Sequence, residues 1–180
     1  MQIREGYNIL IKNHPHHQQL NKKLMEEMDQ IEYPMTNASN VKAKMSEWRL
    51  ETPTCDILLS WIKSILLADR YHRTISVEMG NKLHLDQMWC SRYDEGEYTL
   101  SHDHLPSSFA FVYYVKCPKG SSPLVFDYCR KKVKAEEGKL IFFPASVSHS
   151  VPKNRCKDRV VLSGNLRYFF DTLPPHFKFL

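Results

Sequence analysis

The stretch "SHDHLPSSFAFVYYV", Ser101 to Val115, sets His102, Asp103 and His104 directly ahead of an apolar and aromatic run. The run reads as a buried strand: it is short, β-branched and aromatic, and bounded by proline and serines. A polar knot at the lip of such a strand needs partners, because an unpaired imidazole or carboxylate taken out of water costs stability. A metal ion is one partner that satisfies several of these groups together. In an extended strand, residues two apart face the same side. The pleat therefore points His102 and His104 together and turns Asp103 away, unless a bulge re-aims it.

Working outward, the chain changes texture at about Lys82. Upstream, "GYNILIKNH" (Gly6 to His14) alternates as a strand, and "HHQQLNKKLMEEMDQI" (His16 to Ile31) puts Leu20, Leu24 and Met28 on one helical stripe. "YPMTNASN" reads as a loop. "TPTCDILLSWIKSILLADRYH" opens with a threonine cap and an early proline, and carries an apolar face through Leu58, Ile62, Leu66 and Leu67. Downstream come "KLHLDQMWCSRY", "EYTLSHDH", "FAFVYYVKC", "PLVFDYC", "KLIFFPA", "SHSVP" and "RVVLSGNLRYFF", short strands punctuated by Gly, Pro and Asp. Strands in such a series predict an antiparallel barrel or jelly roll, with the two helices covering it.

Bulk properties limit the function. With 42% hydrophobic residues, 180 residues bury a substantial core, and the length fits one domain over 1–180, divided into N-terminal support (1–81) and a barrel (82–172). The net charge of +5 is scattered, and its one run, "RKKVK" at Arg130 to Lys134, reads as a solvated turn, so nucleic acid is not the expected partner. Five cysteines, Cys55, Cys90, Cys117, Cys129 and Cys156, contain no CxxC pair, which argues against a disulfide framework or zinc ribbon and for a reducing, cytoplasmic setting. Apolar runs are too short to cross a bilayer. The "HPHH" at His14 to His17, together with His84 and His176, reads as ordinary surface or core histidine.

Two further residues complete a candidate constellation. His149 follows an apolar strand and a proline turn in "KLIFFPASVSHS", and jelly-roll topology can return it to His102 and His104. Three protein ligands with open positions suit a catalytic metal, and a histidine-rich set suits iron(II) or its neighbours better than calcium or magnesium. Arg159 opens the apolar strand "RVVLSGNL"; pointing inward it would need an anion, and its fork matches a carboxylate.

In these motifs, over about Trp89 to Phe170, the chain resembles the 2-oxoglutarate and iron(II)-dependent oxygenases of the prolyl-hydroxylase-like superfamily, in particular the small phage and bacterial branch with a His-x-His motif. The resemblance implies an α+β protein built on a double-stranded β-helix, the cupin-like jelly roll, with covering N-terminal helices. It places metal ligands on His102, His104 and His149, with Asp103 as the alternative to His104, since most relatives carry His-x-Asp or His-x-Glu. It places Arg159 on the distal carboxylate of 2-oxoglutarate and Tyr93, in "RYDEG", on the same co-substrate. Val161 departs from a small hydroxyl residue common two positions after the arginine. The implied chemistry is O2-dependent oxidative decarboxylation of 2-oxoglutarate coupled to hydroxylation of an unidentified substrate, a prolyl or other peptidyl residue or a small molecule. Trp89, Tyr113, Phe142 and Phe143 are candidates for the pocket wall or for plain core. Two rival readings stand beside this one. In a three-histidine cupin dioxygenase independent of 2-oxoglutarate, Arg159 would bind the substrate; the other is a non-catalytic metal-binding interaction barrel.

Overall fold

A computed structural model describes residues 8–37, 39–69 and 81–170. His176 and the start of the first expected strand, Gly6 and Tyr7, lie outside the described residues. Among the described residues, two antiparallel sheets face one another and two helices back the larger one. The seven-stranded sheet runs β1 (Leu10–Asn13), β10 (Lys139–Pro144), β7 (Phe109–Lys116), β12 (Arg159–Phe170), β5 (Asn81–Tyr93), β4 (Lys44–Met45), β2 (Met35–Thr36). The five-stranded sheet runs β3 (Val41–Lys42), β6 (Tyr98–His102), β11 (His149–Val151), β8 (Leu124–Phe126), β9 (Lys131–Val133). This is the double-stranded β-helix expected from the serial short strands, covered by α1 (His17–Met28) and α2 (Pro53–Ala68).

Strand alternation divides the apolar residues between two cores. In β7, Phe109, Phe111, Tyr113 and Val115 face the helices, while Ala110, Val112 and Tyr114 face the opposing sheet. β10 divides the same way, with Leu140 and Phe142 towards the helices and Ile141 and Phe143 between the sheets. β7 lies between β10 and β12 and is covered on both faces, which is why "FAFVYYV" is continuously apolar rather than alternating.

Both helices are seated by the stripes read from sequence. Leu20, Leu24 and Met28 of α1 and Leu58, Ile62 and Leu66 of α2 are buried in the helix-side core. Leu67, expected on the same face, is 42% exposed: one step past Leu66 turns it about 100° around the helix, out of the stripe. Thr52 caps α2 by accepting from Cys55 N, and Glu27 of α1 accepts from the Thr54 hydroxyl at 2.6 Å, tying the helices together. Asn21, on the buried face of α1, donates to the Val115 carbonyl at 2.6 Å and accepts from the Tyr113 hydroxyl at 2.7 Å, locking α1 to β7.

The structure corrects three local expectations. "YPMTNASN" is not all loop, since Met35–Thr36 pairs with Lys44–Met45 and extends the large sheet. "RKKVK" is an edge strand as well as a turn: Arg130 takes a left-handed φ of 53° and Lys131–Val133 then pairs with β8, its lysines in solvent. The strand ending in "SHDH" stops at His102, so His104 lies beyond it in the following connection.

Candidate metal and co-substrate site

His102 ends β6, His149 begins β11, and the two are direct cross-strand partners. The aim of His102 depends on a bulge. Val151 pairs with Thr99 where a regular ladder would bring residue 100, so β6 holds one extra residue between Thr99 and His102. That residue reverses the parity and puts Thr99 and His102, three apart, on the inner face together. The bulge that forms is not one that turns Asp103 inward; it lies upstream and turns His102 inward. His104 is positioned from outside the ladder, its backbone N–H donating to the Ala145 carbonyl at 2.8 Å just past the end of β10.

The three imidazoles converge. One ring nitrogen from each of His102, His104 and His149 lies within 4.8 Å of the others, and the Nε2 atoms of His104 and His149 are 3.3 Å apart. His102 Nδ1 lies 2.9 Å from the Leu100 carbonyl and His149 Nδ1 2.9 Å from the Val147 carbonyl. A carbonyl only accepts, so both rings carry the proton on Nδ1 and present the Nε2 lone pair, the tautomer of a metal ligand. Burial, reinforced by the neighbouring rings, pushes His104 down to about 3 and His149 to about 4; burial also lowers His102. All three are neutral at neutral pH. Asp103 is outside the cluster: it is exposed and its carboxylate accepts from Leu105 N. The cluster's donor set is that of an imidazole-preferring transition-metal site.

Arg159 is the other concentration of chemistry. It is 1% exposed, begins β12 on the inter-sheet face, and pairs across the strand with Tyr93. Its guanidinium lies over the Tyr93 ring at 4.6 Å and near the Tyr114 ring at 5.4 Å. The adjacent carboxylate does not neutralise it, because Asp158 faces away to Arg92 and Lys116. Nε and Nη1 of Arg159 have no hydrogen-bond partner among the described residues, and neither does the Tyr114 hydroxyl. A buried cation with unused planar donors requires an anion, and a carboxylate fits the fork. Tyr93 supports Arg159 with its ring while its hydroxyl pairs with Thr99 Oγ1 at 2.7 Å. Thr99 and His102 share the inner face of β6, so the Tyr93–Thr99 pair joins the arginine's surroundings to the strand that ends in His102.

Of the four expected wall residues, two reach the site. Trp89 lies 6.1 Å from the His104 ring and Phe143 4.8 Å from the His149 ring. Tyr113 and Phe142 are on the helix side of the sheet, since parity sends residues adjacent to Tyr114 and Phe143 the other way. Val161, next inward-facing after Arg159, is buried in the inter-sheet core. Thr99 and Tyr114 were missed by sequence reasoning; the parity of "FAFVYYV" relative to Arg159 was the signal available for Tyr114. The "HPHH" histidines are structural in part, with the His14 ring edge-on to Trp61 at 4.7 Å.

The mouth of the site is a cleft of about 310 Å³ whose walls include His102, His104, Trp48, Trp89, Asn165 and Arg167. Among the described residues, no helix is long and apolar enough to cross a membrane.

Solved structures share this architecture. The chain is similar to the viral collagen prolyl hydroxylase of Paramecium bursaria Chlorella virus-1, solved with 2-oxoglutarate, at TM-score 0.67 and 13% identity over 88% of this chain and 94% of that one. A prolyl-4-hydroxylase of Pseudomonas putida gives TM-score 0.66 and 15% identity over 89% and 92% of the two chains. HygX of Streptomyces hygroscopicus, solved with nickel and 2-oxoglutarate, gives TM-score 0.63 and 10% identity over 95% and 84%. No family model and no curated protein matches the sequence. The fold is therefore the double-stranded β-helix of these solved structures.

Proposed function

We propose that this protein is a 2-oxoglutarate- and Fe(II)-dependent dioxygenase, one oxygenase unit over residues 1–180, that hydroxylates a peptidyl residue. The observation that carries the reading is Arg159, a buried guanidinium with unused donors at the far end of the inner face that holds three neutral, converging imidazoles. His102, His104 and His149 would hold the metal. Iron(II), 2-oxoglutarate and O2 together supply oxidative decarboxylation to succinate and oxidation of a substrate C–H bond to C–OH.

The residues each contribute a physical task. With no carboxylate in the set, the imidazoles leave the charge of a divalent ion uncompensated, which favours a dianion such as 2-oxoglutarate beside it. Arg159 binds the distal carboxylate, its orientation held by stacking on Tyr93, whose own hydroxyl is fixed by Thr99. The Tyr114 hydroxyl, pushed up to about 12 mainly by burial, stays protonated and can donate to the same carboxylate. This offers a hydrogen bond that Val161 does not. Phe143, Val161 and Trp89 keep the space between the sheets dry, which strengthens the ionic contact. The peptidyl assignment draws on the prolyl hydroxylases among the structural neighbours.

The all-nitrogen ligand set is the one feature favouring a 2-oxoglutarate-independent three-histidine dioxygenase, in which Arg159 would bind the carboxylate of the substrate. Thermal unfolding with an inert divalent metal separates the two. A ligand that binds only the native state raises its melting temperature, so 2-oxoglutarate should raise the midpoint in proportion to the logarithm of its concentration. No shift with 2-oxoglutarate would overturn the proposed reading.

A further inference from the structure

Residues lining the cleft beside the imidazoles carry a second set of unused polar atoms. β5 holds a bulge of its own: Asn165 pairs with Gln87 but the next residue, Leu166, pairs with Leu85, so Asp86 is the extra residue. The bulge turns Asp86 towards the cleft beside Gln87, and both line it with Asn165 and Arg167 of β12. Two cross-strand contacts result. Asn165 Nδ2 donates to Gln87 Oε1 at 3.1 Å, and Arg167 Nη2 donates to Asp86 Oδ2 at 2.8 Å.

Each contact leaves a remainder. Asn165 is 7% exposed and its Oδ1 has no partner among the described residues; Arg167 Nε is likewise buried and unpartnered. Two lining residues of the cleft, both on β12, thus carry a buried orphan acceptor and a buried orphan donor, and His102 and His104 line the same cleft. The cleft also has an aromatic part to its lining: Trp48 packs edge-on against Trp89 of β5 with centroids 5.0 Å apart, and the exposed Leu105 lines it too.

Resting on the oxygenase reading above, we propose that Asn165 and Arg167 are the substrate-reading pair and that the group they take is an uncharged amide of an extended peptide. An amide brings a fixed donor and a fixed acceptor, the complement of Asn165 Oδ1 and Arg167 Nε. Charge points the same way. Asp86 already balances Arg167, and Asp103 adds a further carboxylate at the rim, so an anionic group gains no net attraction here. The Trp48 face takes the adjoining side chain of the peptide.

The test uses the full chain loaded with zinc(II), with and without 2-oxoglutarate. The ¹H–¹⁵N signals of Arg167 Nε–H and the Asn165 carboxamide, assigned through Arg167→Lys and Asn165→Leu, are followed during titration with N-acetylglycine N-methylamide, methyl β-glucoside or acetate. The blocked amide should move both signals saturably, and Asn165→Leu or Arg167→Met should weaken its binding about tenfold. Signals indifferent to the amide, or moved as much by the glucoside or acetate, would overturn the proposal. Arg159 is not part of this cleft, so the two readings fail separately. An intact 2-oxoglutarate effect without an amide response sinks the substrate pair alone, and the reverse sinks the oxygenase alone.

Discussion

At the scale of single residues, His104 and Asp103 differ by where the chain puts them rather than by ligand strength. His104 enters the cluster and Asp103 spends its carboxylate on Leu105 N in solvent. His102→Ala, His104→Ala and His149→Ala should each abolish stoichiometric iron(II) binding with the far-ultraviolet circular dichroism retained, and Asp103→Ala should bind normally; anaerobic titration checks all four. Arg159→Lys keeps the charge and loses the fork. It should weaken 2-oxoglutarate at least about tenfold while iron binding is unchanged, read from the charge-transfer absorption of the anaerobic complex. His102 and His104 were legible in the sequence as polar residues just ahead of an apolar strand, His149 as one that follows such a strand and Arg159 as one that opens another. Tyr93 was legible as a candidate by resemblance, but its stacking on Arg159 was not, because cross-strand register has no local signal.

At the scale of elements, the packing of β12 explains the glycine of "RVVLSGNL". A Cβ on Gly164 would lie 2.5 Å from Phe111 Cε1 and 2.9 Å from the Gln87 carbonyl oxygen. The backbone neighbour cannot swing aside, so Gly164→Ala should destabilise the fold by about 1–3 kcal/mol, measured as a lower urea midpoint with unchanged slope. Asn21 is the corresponding point for α1. Asn21→Ala strands the Tyr113 hydroxyl and a carbonyl of β7 in a buried place, at a cost of about 2 kcal/mol. The helices' stripes were readable because a 3.6-residue period survives in the sequence; the short strands β2, β3 and β4 were not, because two residues carry no period.

At the scale of the whole molecule, Asp158 joins three parts of the fold. It immediately precedes β12 in a left-handed turn, φ 58°, and its carboxylate accepts from Arg92 of β5 and from Lys116 of β7. Partial burial works against ionisation, but the hydrogen bonds and charges of Lys116 and Arg92 prevail and hold its carboxyl below the ordinary 3.8. A carboxyl depressed in the folded state contributes stability that is present above 3.8 and lost as the pH falls through the lower folded value. Denaturant unfolding of the parent should therefore exceed that of Asp158→Asn by about 1 kcal/mol or less at neutral pH, the contact being partly exposed and screened. The difference should vanish in strong acid.

Sequence alone determined the layered plan: which segments are apolar on one face, which on two, and which polar residues stand at strand ends where a site can form. These are local properties of side-chain period and composition. Only the tertiary structure decided the aim of those residues. One extra residue in β6 turns His102 inward, one in β5 turns Asp86 to the cleft, and parity hides Tyr113 while exposing Tyr114 to Arg159. The reason is that a strand has a period of two. A single inserted residue exchanges its faces, and whether a bulge forms is settled by the partner strand, which lies far away in the chain.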